Sequence, residues 1–575
     1  MSALALLGAL CWPVLLVVAL AWRGTRDAAR ALAPWAALPT LLAAFTETPP
    51  LGLGWVMLQG RVGLDAVAAV MLPATAGLWL AAGLFAQRYL APGPRRDVFF
   101  GWFLAAMTGN LLLLAALDVV VFYLGFALMS LASYGLVVHE GTARARHAGR
   151  YYIAMVVLGE ACVISALILL AGQGGIDFAA LRASFAANVA GRNDIIAALL
   201  VVGFGIKAGC LGLHYWLPLA HPVAPAPASA VLSGAMIKAG LVAWIRLFPL
   251  GETALPGWGA GLAVLGLGTA YYGALVGLAQ HEAKTVLAYS SVSQMGVMTM
   301  AVGLGLAFPA QWPPLFAALL VYMVHHGLTK AGLFLGAGLM QHPLAPGARR
   351  LAIVLLVVGV LAISGAPLTG GLLAKLALKH TAGQLAAPWP GALPVLLVLS
   401  SGLTALLMLR FLWLAWPRGT GAARPTPAAL QGVWTLLVLA SLAAPWMVAA
   451  PVLRAGAAGL HASWSAAWPL GIAGLLALAV ARWPGRRRGL PAIPAGDFGI
   501  PLERGVVVAG RRLRLLLTER LPAAVAALRR PLLRAGRSVP WWSVVLGHGE
   551  ARIAAWSVTG ALLVLLAVAA AWLLA

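Results

Sequence analysis

The sequence predicts an all-α polytopic membrane protein, and three observations carry that expectation. Of 575 residues, 62% are hydrophobic and only 9% charged, and the mean hydropathy is +0.94. A soluble core saturates well before it needs so much apolar surface. Apolar runs of roughly 18–25 residues recur along the whole length, each long enough to cross ~30 Å of hydrocarbon. The net charge of +24 is gathered as arginines in short loops between those runs, which points to positive-inside topology rather than to a nucleic-acid partner.

Taken in order, the first run, MSALALLGALCWPVLLVVALAW, has no basic residue ahead of it and no Ala-x-Ala site before Arg23. It reads as a retained helix and not as a cleaved signal. With it, near 3–22, further membrane helices fall near 31–45, 64–86, 98–116, 119–138, 151–171, 195–217, 226–248, 258–279, 285–304, 312–340, 350–378, 391–415, 431–450, 464–482 and 553–574. That makes about sixteen, the second being the shortest. Threaded with the N-terminus outside, they leave 28 arginines on the cytoplasmic side, from Arg23, Arg26 and Arg30 through Arg144, Arg146 and Arg150 to fourteen between Arg482 and Arg552. Arg61, Arg182, Arg192, Arg246 and Arg454 remain outside, a split that removing one helix would scramble.

Two helices look broken. The seventh runs into His214-Tyr215-Trp216-Leu217-Pro218 and then Pro222, Pro225 and Pro227; the twelfth carries Ser364-Gly365-Ala366-Pro367-Leu368-Thr369-Gly370-Gly371. Unpaired backbone at membrane depth is tolerated only where it faces protein or a water-filled cavity. The breaks lie five helices apart, and an odd offset reverses orientation. Residues 98–248 and 258–415 therefore read as an inverted repeat of five helices each, a pattern that points to a transport path. Around them stand N-terminal helices (1–97), C-terminal helices (431–482), a basic segment (484–551) and a final helix (553–574). Stretches such as Arg511-Arg512-Leu513-Arg514 suit a helix on the cytoplasmic membrane surface; a solvated basic linker is the plainer alternative.

The basic residues are unevenly divided: 33 arginines against six lysines, Lys207, Lys238, Lys284, Lys330, Lys375 and Lys379. A lysine at the centre of a membrane helix costs on the order of 2.5–3.5 kcal/mol, yet Lys207, Lys238, Lys330 and Lys375 fall inside expected helices. Arginine does not release its proton in a protein, whereas a buried lysine does so readily. Lys207 and His214 are seven residues apart, two turns along one face of a continuous helix; His326 and Lys330 are four apart. Glu160 is the one carboxylate deep in a membrane segment, and Asp65 and Asp118 lie at helix ends. Such a set suits stepwise proton transfer, with structural ion pairs or packing bonds as the plainer account. Cys11, Cys162 and Cys210 are far apart within apolar runs and read as small core residues. With no Cys or His cluster for iron–sulfur or nickel and no G-x-G-x-x-G opening a βαβ unit, no redox cofactor is expected.

At these residues the chain resembles a known family. LDAVAAVML (64–72), GFGIKAGCLGLHYWLPLAHPVAPAPASAVLSGAMIKAG (203–240), AKTVLAYSSVSQMG (283–296), HHGLTKAGLFLGAG (325–338) and GAPLTGGLLAK (365–375) are similar to the antiporter-like subunits of complex I, hydrogenase 4, formate hydrogenlyase and the multisubunit cation/proton antiporters. The resemblance spans about residues 60–415 and is nearest to the large hydrogenase 4 type subunit. The basic segment and final helix resemble the lateral helix and anchor of the largest such subunits. The resemblance implies that Lys207 is the central lysine of the broken seventh helix and Lys238 the connecting lysine of the eighth. It likewise makes His326 and Lys330 the pair of the eleventh and Lys375 the lysine of the broken twelfth. The family carries a glutamate in the fifth helix that pairs with the seventh-helix lysine; in the matching stretch GFALMSLASY, alanine (Ala127) holds its place. Glu160, one helix on, is the candidate to supply that charge.

The implied function is a proton-translocating subunit of a complex I-like respiratory or hydrogenase assembly in the inner (cytoplasmic) membrane. Its expected partners are other membrane subunits, a peripheral redox arm and membrane lipid, with protons or Na⁺ as the ion. Two other readings stand beside it: a cation/proton antiporter or ion-coupled inorganic-carbon uptake subunit, and a non-pumping anchor. Ala127 favours the anchor, and the retained lysines oppose it.

Overall fold

The computed structural model describes residues 3–46, 49–54, 59–186, 192–386, 389–416, 427–450, 468–482 and 493–496. The rest of the expected basic segment and the final helix at 553–574 lie outside the described residues, all of which fall in one compact unit, Met1–Gly496. Twelve helices among them are long and apolar enough to cross a membrane.

The chain opens with α1 (Ala3–Ala21) and returns beside it. Thr25 Oγ1 donates to Ala19 O and Arg26 Nε to Leu20 O at one end, while Thr40 Oγ1 donates to Ala9 O further along. The single helix expected at 31–45 is instead α2 (Arg26–Leu32), a 3₁₀ turn (Ala33–Trp35) and α3 (Leu38–Ala43). Pro34 and Pro39 each sit at the start of a new piece; proline lacks the N–H and clashes with the carbonyl four residues back. The helical path survives in pieces.

Then come α4 (Ala66–Tyr89), α5 (Pro94–Ala115), α6 (Val119–Val137), α7 (Ala143–Gly174), the short α8 (Phe178–Ala186) and α9 (Arg192–Ala208). The helix-end aspartates are caps. Asp65 accepts the N–H of Ala68 at 2.7 Å, and Asp118 accepts those of Val120 and Val121 at 2.9 and 3.0 Å, satisfying donors that a first turn leaves free. Asp118 also takes the N–H of Arg61, at the end of a two-residue antiparallel ribbon, Leu51–Gly52 with Arg61–Val62.

The middle of the chain forms α10 (Trp216–Val223), α11 (Ala226–Val231), a π turn (Leu232–Met236) and α12 (Lys238–Leu247). Next are α13 (Pro256–Leu278), α14 (Ala283–Ala307), α15 (Trp312–Leu339), α16 (Pro346–Ser364), α17 (Gly370–Ala382), α18 (Trp389–Ala415), α19 (Ala428–Val448) and α20 (Trp468–Arg482). The apolar centres of 226–247, 283–307 and 309–339 are wholly buried, whereas about two thirds of the apolar stretch of α1, α7 and α19 is not. A helix apolar all round suits a bilayer, where hydrocarbon meets the outer face.

Glycine seams bring the first two helices of each expected repeat together. A Cβ added at Gly125 of α6 would lie 2.8 Å from Gly109 O of α5. One added at Gly266 of α13 would lie 2.6 Å from Gly296 O of α14, with Gly259 against Gly303 a further two turns away. Only hydrogen fits there, so backbones touch and dispersion contacts multiply.

Both expected breaks are present. Between α9 and α10, Gly209 and Gly212 adopt φ +75° and +80°, a region that L side chains avoid. Between α16 and α17, Gly365 takes φ +88° as a left-handed C-terminal cap, and Thr369 Oγ1 receives the N–H of Leu372 to start α17.

Candidate functional site

All six lysines stand in helices: Lys207 in α9, Lys238 in α12, Lys284 in α14, Lys330 in α15, and Lys375 and Lys379 in α17. Four donate to main-chain carbonyls. Lys238 Nζ reaches Ser233 O (2.6 Å) in the π turn, and Lys284 Nζ reaches Ala224 O (2.8 Å) at the end of α10. Lys330 Nζ reaches Leu287 O (2.9 Å) and the Ser290 hydroxyl, and Lys375 Nζ reaches Ile363 O and Ser364 O (3.2 and 3.0 Å), which α16 leaves unpaired at its break. Among the described residues the ion pairs all use arginine, as in Arg144–Glu282 and Arg246–Asp65, and no lysine joins one. A carbonyl accepts from a neutral amine as well as from an ammonium, so proton release strands no acceptor. A carboxylate partner would instead hold the charge in place.

Lys330 bonds α14 directly, and Lys238 is linked to the same stretch through Ser233 of the π turn. Ser233 and Ser291 share a hydrogen bond at 2.7 Å, and Ser291 Oγ donates to Leu287 O, the carbonyl that Lys330 also uses. His326 stands one turn from Lys330 on the unbroken α15, as its spacing requires, within electrostatic reach of Lys238, Lys330 and His325. It is fully buried, and neither ring nitrogen has a hydrogen-bond partner among the described residues. Buried polar atoms of this kind are normally completed by ordered water.

His325 reaches the second break. A Cβ at Gly371 would lie 2.7 Å from its Nε2 and one at Gly370 3.3 Å from its Nδ1, so the glycine pair lets the imidazole touch the first turn of α17. Lys375, one turn on, lines a cavity with Tyr322, Ser364, Ser400 and Trp468. Tyr322 donates to Gln294 Oε1 (2.7 Å), and Gln294 Nε2 to Thr404 Oγ1 (3.1 Å). Tyr322 thus ties that cavity to a buried polar chain behind it.

Lys207 is held differently. Its Nζ lies 5.6, 5.9 and 6.0 Å from the ring centroids of Phe126, Trp216 and Tyr152, a distance at which ring faces attract a cation. Trp216 is fixed by donating to Ile206 O and Tyr152 by donating to Ser130 O, each at 2.8 Å. Lys207, these three rings and Glu160 line a second cavity, with Glu160 within electrostatic reach of Lys207 and Tyr123. Both its oxygens are buried without a hydrogen bond of ordinary geometry. The structure therefore brings Glu160 to Lys207.

His214 is not where the seven-residue spacing puts it. The helix ends at Ala208, and the two left-handed glycines carry His214 away to Tyr215, Tyr272 and Tyr289, with centroids 4.8, 5.3 and 6.2 Å away. The i, i+7 expectation assumed a continuous helix, and the break removes it. Sequence reasoning also passed over His221 and the aromatic cage of Lys207. His221 was signalled only by its place in the proline-rich stretch between two lysines.

Residues 116–404, half of the chain, match the family described as NADH:quinone oxidoreductase/Mrp antiporter, TM. Hydrogenase-4 component B of Escherichia coli (strain K12) is 28% identical over 449 residues, 71% of this chain and 65% of that protein. NADH-quinone oxidoreductase subunit L of Mycobacterium tuberculosis (strain CDC 1551 / Oshkosh) is 28% identical over 375 residues, 62% of this chain and 58% of that protein. A chain in the structure of the Mrp complex from Dietzia sp. DQ12-45-1b shares the fold, with a TM-score of 0.76 at 22% identity over 92% of this chain and 62% of that one. The matched part thus spans somewhat less than two thirds of these relatives. This multi-pass membrane chain belongs to the NADH:quinone oxidoreductase/Mrp antiporter membrane family.

Proposed function

We propose that the chain is a proton-translocating, antiporter-like subunit of a complex I-like respiratory or hydrogenase assembly in the inner (cytoplasmic) membrane, beside other membrane subunits and a separate redox arm. One observation carries the reading: Lys238 and Lys330, buried on the most enclosed helices, and the part-buried Lys375 at the second break rest on backbone carbonyls instead of carboxylates, with histidines between them. Lys207, Lys238, Lys330 and Lys375 are the proton carriers in this reading. His326 bridges the middle pair, Glu160 is the counter-charge of Lys207, and His214 serves the first break from its tyrosine cage. The two inverted halves, 98–248 and 258–415, are supported by matching glycine seams and matching breaks. The carriers are nitrogen bases, which take protons well and hard cations such as Na⁺ poorly.

Purification in mild detergent, identification of the co-purifying subunits and reconstitution into sealed vesicles test the reading. Electron transfer by the assembly should acidify the side opposite the redox arm. Electron transfer in tight vesicles with no proton movement would instead support the non-pumping anchor.

A further inference from the structure

We propose that His221 is the proton relay from the cytoplasmic end of the chain to Lys330, fed by Lys284. The inference rests on proton translocation by this chain and adds its entrance. His221 occupies the last turn of α10, fully buried, its ring stacked on Phe334 with centroids 4.4 Å apart. Phe334 is one turn beyond Lys330 on α15. Lys284 donates to Ala224 O, the carbonyl just past the end of the same α10. His221 thus lies within electrostatic reach of both lysines. Ser229 Oγ donates to His221 O at 3.1 Å and fixes the backbone, but neither ring nitrogen has a hydrogen-bond partner among the described residues.

A histidine that served packing alone would be costly here. Phenylalanine or leucine packs on Phe334 without burying two unpaired nitrogens, each of which loses its hydrogen bonds to water without replacement. What imidazole adds is the ability to accept a proton at one nitrogen and release another from the second. The step balances: the Lys284 ammonium gives a proton to one nitrogen, and the other nitrogen gives its own to the neutral Lys330 amine. The ring is left neutral in its opposite tautomer and must turn before the next cycle.

The entrance is placed by its surroundings. Lys284 follows Glu282, a half-exposed carboxylate paired twice with Arg144, at 2.8 Å each, in the arginine-rich loop layer. Glu140 stands within electrostatic reach of Lys284 as well. Exposed carboxylates, Lys284, His221 and Lys330 therefore succeed one another from surface to core.

Two measurements on the reconstituted assembly test the relay. His221→Phe, which keeps the stack, and His221→Gln should each slow translocation at least tenfold. In a chain with Cys11, Cys162 and Cys210 changed to alanine, His221→Cys should react with a small charged methanethiosulfonate reagent from the cytoplasmic face alone. Full-rate translocation by either variant, or labelling absent or seen from the outer face, overturns the proposal. An unaltered assembly that moves no protons would overturn the functional reading itself, a different result from one that pumps equally well without His221.

Discussion

Lys207 and Arg246 are both buried basic residues near helix ends, 4% and 3% exposed, yet their surroundings differ in kind. Arg246 donates to both oxygens of Asp65 (2.9 and 3.0 Å) and to Leu113 O and Leu114 O, tying the end of α12 to the start of α4 and the end of α5. Removing one partner of a buried pair typically costs about 3–5 kcal/mol. Arg246→Ala should therefore lower thermal stability sharply, measured as the unfolding midpoint of the purified chain. Lys207 has ring faces and one carboxylate in its cavity. Lys207→Arg, which keeps the charge and forbids its release, should stop translocation while assembly survives. Glu160→Gln should slow translocation at least tenfold, and Ala127→Glu added to it should restore part of the rate, since α6 then supplies the missing charge. Unchanged flux in Glu160→Gln would mean that the first half works without a carboxylate partner. Glu160 was legible as the partner of Lys207 through the family resemblance, but the other pairing was not: Asp65 and Arg246 are 181 residues apart, and no periodicity connects them.

At the scale of elements, hydropathy and breakers carried most of the information. Most helix spans fall within a few residues of expectation where one apolar run makes one straight helix, because run length fixes a crossing; α7 is the exception, its polar first turns carrying the helix back to Ala143 from the expected 151. The two breaks were legible as well, since Gly-Gly and clustered prolines leave a helix few options. The misreadings arose where a helix was assumed to continue: Pro34 and Pro39 divide the second segment, and Gly209 separates His214 from the face of Lys207. The glycine seams were not legible as seams, because which glycines meet depends on the partner helix. They set a clear expectation. Gly296→Val forces side-chain atoms onto Gly266 O and the Ala270 backbone, and overpacking of that kind costs typically 1–3 kcal/mol, more where backbone must move. A fall in the unfolding midpoint, against little change for Gly261→Val with open space around it, would bear this out.

At the scale of the molecule, the proposed function has arginine build and orient while lysine occupies the path. Arginine pairs link helix ends, and its distribution among loops orients the bundle. Reporter fusions after Pro94 and Arg146 should report cytoplasm and a fusion after Gly174 the outside; reversal at any of them would turn the proposed entrance at Lys284 to the wrong face. From that entrance the groups run through His221 and Lys330 to His326 and His325, and on to Lys375 at the second break. Lys330 stands where these contacts converge, so proton flux through sealed vesicles carrying Lys330→Arg is the most direct measurement. With the assembly intact by co-purification, the account predicts flux no greater than the leak of protein-free vesicles. Flux equal to that of the unaltered chain would show that no proton leaves Lys330, and would contradict the account.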